Sequence, residues 1–377
     1  MSPPRIAIAG TGAFAGTLLR ALARHREPLD LSVLGSDAGR AGELAELARN
    51  HAALSGAPPT CRGHGVDPGD PDGPERLLAS LRPDVLVVCT SEHSPAESRT
   101  APSAWTDLVS RAGFALTLPL QTGHVLRYAR AAERAAPDTL LVNACFPDAV
   151  NPLLTALGTP VVCGVGNVAT LAAALAGRAG VADPRRLHLL AHHAHLHPPE
   201  APGLDARAWL DGSPVDLTGE LTAVRRRARS HLNEVGALAA AAPLAALAGA
   251  GPDHTGHLPG PAGLPGGYPV TVTHRHVALR LPPGLSRDEA VRWNTEAGRL
   301  DGAVAGAGGA VRLTPAALSA LRPHWPDVPE EWTPARLTPL REAVLRLRAR
   351  LRALPPSPPP PPPSDPRTTP SLQGAAP

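Results

Sequence analysis

The sequence contains no lysine, and all 36 of its basic residues are arginine. PLP-dependent Schiff-base enzymes, P-loop NTPases and lysine-dependent amino-acid dehydrogenases each require a lysine amine at the site of chemistry. The absence of lysine therefore argues against all three classes. Together with the abundance of Ala, Pro and Gly, it is typical of proteins encoded by GC-rich bacterial genomes, so a bacterial source is expected.

Aromatic residues and cysteines are also scarce. Phe, Trp and Tyr make up 3% of the 377 residues, so Ala, Leu and Val must fill most of the core. The four cysteines lie far apart and form no CxxC pair. This spacing favours reduced, buried thiols in a cytoplasmic protein over disulfides or a zinc site.

Long apolar runs and strong net charge are absent as well. The N-terminus has no signal-peptide pattern, and the apolar stretch 236–251 is shorter than a bilayer span. The formal net charge of +3 is small, and the arginines are spread among acidic residues. Neither a membrane nor a nucleic acid is expected as a partner.

The first 150 residues alternate apolar runs with segments of helical periodicity. The runs predict strands at Arg5–Ala9, Leu29–Leu34, Asp84–Cys89 and Thr139–Ala144, and the periodicity predicts helices at Phe14–Arg24, Ala41–Ala53 and Trp105–Ala112. This alternation is typical of an α/β domain with a Rossmann-type, doubly wound parallel sheet and right-handed crossovers. Residues 1–150 are predicted to form that domain.

The pattern changes after residue 150, where a mixed α+β substrate domain is predicted for residues 151–310. Its predicted elements are a strand and turn at Val161–Val168, helices at Ala169–Ala179, Leu217–Ala248 and Ser286–Leu300, and a strand at Val270–Leu281. A helical extension is predicted for 311–354, and the Pro-rich tail 355–377 is expected to be disordered. The helix Thr338–Leu354 is amphipathic, which predicts a docked surface helix, with a partner- or membrane-binding helix as the alternative.

A glycine motif follows the first predicted strand and opens the first predicted helix. Gly10 permits a tight turn, Gly12 allows close approach of a pyrophosphate, and a small residue at position 15 or 16 permits helix–strand packing. Backbone N–H groups at a helix N-terminus bind phosphate. The motif predicts a nicotinamide dinucleotide site at Gly10, Thr11, Gly12, Ala13 and Phe14. A Rossmann domain that no longer binds cofactor is the alternative.

The end of the second predicted strand bears on the choice of cofactor. An NAD site usually has an acidic residue there, but Gly35 and Ser36 occupy the position. Ser36 and Arg40 can bind a 2′-phosphate, which favours NADP over NAD, whereas Asp37 is displaced but still able to accept from a ribose. Thr90, directly after the strand Asp84–Cys89, completes the predicted cofactor contacts.

The order of these segments, over residues 5–310, resembles the lactate/malate dehydrogenase superfamily, which includes NAD-dependent glycosidases. The triplet Glu97-Ser98-Arg99 is similar to part of that superfamily's mobile active-site loop, so the resemblance implies that Arg99 contacts a substrate anion. The superfamily's strand-end asparagine touches cofactor and substrate. Either Asn143, at a strand end, or Asn151, in an Asn-Pro dipeptide, corresponds to it.

The resemblance also identifies a departure. The segment 164–172 is similar to one that supplies an Asp and an Arg, but Ala169 and Ala172 stand at those positions, so the usual 2-hydroxy-acid site is absent. By resemblance, His193 is the catalytic proton donor or acceptor. Another group must then orient its imidazole, and the sequence offers Glu200, Asp205 and Asn233 without ranking them.

A metal site is an alternative interpretation of the histidines. His193, His195 and His197 would share one face of a strand, and His274 and His276 repeat the spacing. No acidic or Cys ligand spacing accompanies them, so no metal is assigned.

The sequence thus predicts an NAD(P)-dependent oxidoreductase that acts on a CH–OH or CH–NH group of a small, non-standard substrate, in specialised metabolism. Its alternatives are a catalytically degenerate partner or scaffold in a biosynthetic complex and a glycosidase-like enzyme. Formation of a homo-oligomer is left open.

Overall fold

Apolar runs in the first half of the chain form one six-stranded parallel sheet. The structure, a computed structural model, describes residues 2–56, 60–199 and 201–356. The strands are β1 (Arg5–Ala9), β2 (Asp30–Gly35), β3 (Cys61–Gly65), β4 (Val85–Val88), β5 (Leu140–Asn143) and β6 (Cys163–Gly164). Their order is β3-β2-β1-β4-β5-β6, and it reverses direction between β1 and β4. Such a reversal opens a crevice at the carboxyl ends of the strands, where ligands of doubly wound sheets bind.

Helices cover both faces of this sheet. They are α1 (Ala13–Ala23), α2 (Ala38–Leu54), α3 (Gly73–Leu81), α4 (Glu97–Thr100), α5 (Ala104–Ala112), α6 (Leu118–Ala135) and α7 (Pro147–Ala156). One core cluster joins the sheet to α1 and α2, and a second joins the opposite face to α6 and α7. The Rossmann-type architecture is as predicted.

The second half is α+β, also as predicted. It contains α8 (Val168–Ala179), β7 (Leu187–Leu190), β8 (Arg207–Leu210), β9 (Ser213–Val215), α9 (Thr218–Arg225), α10 (Arg229–Ala248), β10 (His254–Pro259), β11 (Gly267–Thr273), β12 (His276–Leu279), α11 (Arg287–Ala297), β13 (Ala303–Ala305), β14 (Val311–Leu313), α12 (Pro315–Leu321), β15 (Glu331–Trp332) and α13 (Leu337–Arg352). Three small sheets form from β7-β8-β9, β10-β11-β12 and β13-β14-β15.

Several predicted boundaries differ from the structure. The parallel sheet continues to Gly164, past the domain boundary predicted at residue 150, and β13 pairs with β14 across the one predicted at 310. The single strand predicted at Val270–Leu281 is a hairpin, because the chain turns at Arg275 with a φ of 61°. The predicted helix Leu217–Ala248 is two helices, α9 and α10.

Two helices bear on the membrane and docking predictions. Helix α10 is long and apolar enough to cross a membrane, but 61% of its most apolar window is buried inside the molecule, as in a core helix. Helix α13 docks as predicted through a buried face, whereas Leu354 beyond its end is exposed. The buried face consists of Leu337, Leu340, Val344, Leu347 and Leu351. Most of the predicted disordered tail, from residue 357 onward, lies outside the described residues.

Candidate active site

Two adjacent buried histidines share one carboxylate just beyond the end of β7. The Nδ1 atom of His193 lies 2.9 and 3.1 Å from the two carboxylate oxygens of Asp301, and Nδ1 of His192 lies 2.9 Å from one of them. Asp301 ends the 3-10 turn that follows α11, 108 residues along the chain from His193. Because an ionised carboxylate only accepts hydrogen bonds, both Nδ1 atoms must donate. The Nε2 atom of His193 is then left for proton exchange.

Electrostatics keep this carboxylate ionised. Burial alone would raise the pKa of Asp301, but the charges of His193 and His192 and their hydrogen bonds hold it well below its ordinary range. Burial likewise opposes protonation of His192, yet its hydrogen bond to Asp301 and the charge of Asp148 raise the pKa of His192 above its ordinary value. A charged carboxylate that accepts a hydrogen bond from Nδ1 fixes both the tautomer and the ring plane of His193.

Two phenylalanines enclose the His193 ring. Phe114 stacks on it with the ring centroids 4.6 Å apart, and Phe146 meets it edge-on at 4.9 Å. The chain has only three phenylalanines, and the third, Phe14, lies in the first turn of α1. Two of the chain's three phenylalanines thus flank the His193 ring.

A cavity of about 1000 Å³ opens beside His193 and Asp301. Asp301 is the only acidic side chain among the described residues that line it, and the basic ones are Arg99, Arg111, Arg229 and Arg299. Arg299 is paired with Glu296 at 2.5 Å. The excess of positive charge favours an anionic ligand.

Arg229, the first residue of α10, lines this cavity with a largely buried guanidinium group. Its Nη1 atom is buried and has no hydrogen-bond partner among the described residues. Burial lowers the pKa of Arg229, and the charge of Arg99 adds to that effect while Asp301 opposes it. A buried guanidinium N–H without a partner is costly, so a ligand oxygen would stabilise it. The sequence prediction missed Arg229, which stands in an Arg-rich segment without a motif.

The other predicted catalytic residues separate into two groups. Arg99, on the short helix α4, lines the cavity. Asn143 and Asn151 are fully buried and do not line it. Instead, Asn143 Nδ2 donates to Asn151 Oδ1 at 2.8 Å, and Asn151 Nδ2 donates to the carbonyl of Gly260 at 3.0 Å. Their bonds tie β5 to α7 and to the turn after β10.

The groups predicted to orient His193 are not the ones that do so. Asp205 forms a buried ion pair with Arg225, and Asn233 is exposed, while Glu200 lies outside the described residues. The carboxylate that contacts Nδ1 of His193 belongs to Asp301. No local signal could have found it, because Asp301 reaches the histidines only through the packing of the turn after α11.

The metal interpretation fails on geometry. His193 and His195 lie in a 3-10 turn, not on a strand, so they do not share a face at period two. His195 bonds the Leu204 carbonyl at 2.9 Å, and His274 and His276 are exposed at the β11–β12 hairpin. Among residues 2–56, 60–199 and 201–356, no group of three His, Cys, Asp or Glu side chains could hold a metal.

The turn after β1 has the shape that its glycines predict. Gly10 has a φ of +132°, and a Cβ there would lie 2.9 Å from the Cys89 carbonyl oxygen, so only glycine fits between β1 and β4. Gly12 caps α1 without a side-chain hydrogen bond, and a Cβ there would meet no atom within 4 Å. The backbone in front of α1 is therefore open to a phosphate. These residues fit a dinucleotide pyrophosphate.

The flanks of the turn contain the remaining predicted cofactor residues. A Cβ at Gly35 would lie 2.5 Å from the Thr11 methyl group, so the end of β2 packs directly on the turn. Ala13, which follows this turn in the sequence, is the first residue of α1. Thr90 follows β4, and its carbonyl accepts from the Cys145 thiol at 3.2 Å. The Phe14 ring reaches the second half, 3.7 Å from the Cβ position of Gly236.

The end of β2 has no acidic residue that is free of local bonds. Asp37 caps α2 by accepting from the Arg40 backbone N–H at 3.0 Å, and Arg40 pairs with Glu43 at 3.2 Å on the surface. Ser36 is exposed beside them. Ser36 and Arg40, which the sequence predicts to bind a 2′-phosphate, are thus exposed to solvent. The carboxylate of Asp37 is already engaged as the N-cap of α2.

Comparison with known proteins identifies the fold. No family model and no curated protein sequence matches the chain. Among solved structures, it is similar to the apo malate dehydrogenase of Picrophilus torridus, with a TM-score of 0.53, 15% identity, and coverage of 80% of this chain and 96% of that one. It is also similar to the malate dehydrogenase of Archaeoglobus fulgidus in complex with NADH, with a TM-score of 0.52, 16% identity, and coverage of 79% and 97%. The chain has the malate dehydrogenase fold, as the sequence resemblance predicted.

Proposed function

We propose that the protein is a nicotinamide-dependent oxidoreductase that interconverts a carbonyl and an alcohol, or an imine and an amine, on a small anionic substrate. The observation that carries this proposal is the His193–Asp301 pair, with contacts of 2.9 and 3.1 Å, placed at the wall of an arginine-rich cavity. A buried histidine held by an ionised carboxylate is suited to general acid–base chemistry. The substrate is not a standard 2-hydroxy acid, because Ala172 replaces the arginine that would bind its carboxylate.

The cofactor assignment rests on the turn after β1. Gly10, Gly12 and the N-terminus of α1 would hold the pyrophosphate, and the similar structure from A. fulgidus is described in complex with NADH. The nicotinamide ring would supply or accept the hydride. A preference for NADP over NAD rests on Ser36 and Arg40 alone, and a direct comparison of the two cofactors tests it.

Side chains of this protein would transfer the proton, bind the substrate and exclude water. In the oxidative direction, the substrate O–H or N–H proton passes to Nε2 of His193 as the hydride leaves carbon, and the reverse holds for reduction. Asp301 stabilises the imidazolium that forms. Arg99 and Arg229 would bind a substrate carboxylate or phosphate, which relieves the unpartnered Nη1 of Arg229. Phe114 and Phe146 exclude water from the proton-transfer path.

Calorimetry with NADH and NADPH, followed by spectrophotometric turnover assays on a panel of hydroxy, keto and amino acids of increasing length, tests the proposal. We expect binding of at least one cofactor and turnover of an anionic substrate larger than malate, since pockets of this size hold drug-sized ligands. Absence of binding to either cofactor would refute the proposal. Binding without turnover of any substrate, together with a stable complex in pull-down, would favour the scaffold alternative. Metal in elemental analysis would favour the glycosidase-like one.

A further inference from the structure

The loop that carries Arg99 into the cavity is tied from behind to the C-terminal helix α13. The Glu92 carboxylate accepts from Nε and Nη2 of Arg341, and the Glu92 carbonyl accepts from Arg348. The Glu97 carboxylate receives Nε and Nη2 of Arg352, both at 2.5 Å. Two forked arginine–carboxylate pairs and one arginine–carbonyl bond thus join loop and helix.

The three arginines lie on a helix that is itself well anchored. Arg341, Arg348 and Arg352 are seven and four residues apart, a spacing that places them on one side of a helix. The apolar residues of α13 pack with Trp105 and Leu108 of α5 in one core cluster. The arginines therefore project from a fixed support, and less side-chain entropy is lost per bond because the guanidinium fork is planar.

Glu97 depends on Arg352 for its charge balance. Its side chain is 7% exposed, the Nδ1 atom of His93 lies 3.6 Å away, and the charge of Arg348 also acts on it. Burial lowers the pKa of His93 to about 4, so this histidine is neutral near pH 7 and cannot neutralise the carboxylate. Removal of Arg352 would take two hydrogen bonds and an ion pair from this buried carboxylate and leave only the charge of Arg348 acting on it, which destabilises the closed position of the loop.

The opposite side of the loop faces the active site. His93 and Arg99 line the cavity, and the His93 ring lies 5.8 Å from that of Phe114, which stacks on His193. A continuous row of contacts thus runs from Arg352 through Glu97, His93 and Phe114 to the candidate catalytic histidine.

We propose that Arg341, Arg348 and Arg352 are positioning residues, which hold the loop 91–100 closed against the cavity and so fix Arg99 and the wall beside His193. The loop is held by ion pairs within the chain instead of being closed by the substrate. The structural part of this proposal stands on the contacts alone. Its consequence for turnover rests on the proposed function.

Limited trypsin digestion tests the structural part without any substrate. Arg99 is an exposed tryptic site inside the loop. In the double variant Arg341→Gln/Arg352→Gln, we expect cleavage after Arg99 to accelerate about tenfold, because loss of two charge-assisted pairs raises the population of the open loop. The matched control is Arg346→Gln, since Arg346 lies on the same helix but pairs with the exposed Glu342, which is not part of the loop. Mass spectrometry of the 1–99 fragment gives the rate.

Unfolding of α13 as a whole would mimic this result, so two further measurements separate the cases. Thermal unfolding must stay cooperative, and cleavage elsewhere must not accelerate. The milder variant Arg352→Lys retains the charge but not the fork, and it should give an intermediate rate. An unchanged cleavage rate after Arg99 in a folded double variant would overturn the proposal, as would equal acceleration by Arg346→Gln.

Steady-state kinetics then test the consequence for turnover. With Arg99 released, we expect KM for the anionic substrate to rise about tenfold, with a smaller change in kcat and no change in cofactor affinity. Accelerated cleavage with unchanged KM would contradict the assignment of Arg99 to the substrate, not the tie between loop and helix. Absence of turnover in the wild type would count against the proposed function alone.

Discussion

In the turn after β1, consecutive residues place the backbone where a phosphate can bind, whereas around His193 the working side chains come from distant parts of the chain. The turn depends on Gly10 and Gly12, whose roles follow from φ angles and open space. The second site joins His193 to Asp301, 108 residues away, and to Arg229 and Arg99 across one cavity. Where a site is formed by consecutive residues, the backbone conformation alone fixes the position of its N–H donors. Where a site is assembled from distant segments, its carboxylate can come from any segment that folding brings close, as Asp301 does here.

The largest expected effect is on the dispersed site. We expect His193→Gln to lower kcat/KM about 1000-fold while NADH and NADPH affinities stay unchanged, because positioned proton transfer contributes factors of this order. His231→Gln, a change at an exposed histidine, is the control. Loss of cofactor binding in the His193 variant would break the separation of the two regions. Activity retained at the wild-type level would remove His193 from the mechanism.

Asp301→Asn tests whether the carboxylate from a new position does the work of the missing one. We expect a loss of about 100-fold in kcat, smaller than for His193, because an amide can still contact the ring but neither fixes the tautomer nor stabilises the imidazolium. Asp288→Asn, which removes an exposed carboxylate in the first turn of α11, should leave kcat unchanged. Equal effects of these two substitutions would mean that Asp301 matters only for folding, and circular dichroism with thermal unfolding would show it.

Elements and site residues with a local sequence pattern could be predicted from the sequence, and those that depend on distant contacts could not. Strands such as β4, with four buried apolar residues in a row, were predicted, whereas the edge strand β3 was not, because only Cys61 of its five residues is buried. Helix α6 was missed since Pro119 and Gly123 interrupt its pattern. His193 was found through a resemblance along the chain. Asp301 was not predicted, because no sequence pattern around it indicates a contact with a histidine 108 residues away.

The contiguous site should respond to a change of one side chain. A Cβ at Gly12 points into open space in front of α1, so Gly12→Val is expected to fold normally but to weaken NADH and NADPH binding about 30-fold by filling the phosphate position. The kcat at saturating cofactor should change less than twofold. Gly42→Val, at a helical position also free of neighbours within 4 Å, controls for the general cost of the substitution. Unaltered binding would place the pyrophosphate elsewhere.

The smallest effect expected concerns stability, and it follows from buried charge in the second region only, since residues 10–16 include no titratable side chain. The pKa of His192 is raised in the folded protein by Asp301 and Asp148. Its stabilisation is therefore complete below the unfolded pKa of about 6.5 and is lost as the pH rises through the folded value. Urea unfolding at intervals between about pH 6 and 9 should show a wild-type decline that His192→Gln reduces and Gly12→Ala does not. Parallel declines in all three proteins would mean that His192 does not carry the pH dependence of stability, and the paired histidines would then no longer distinguish the second region from the first.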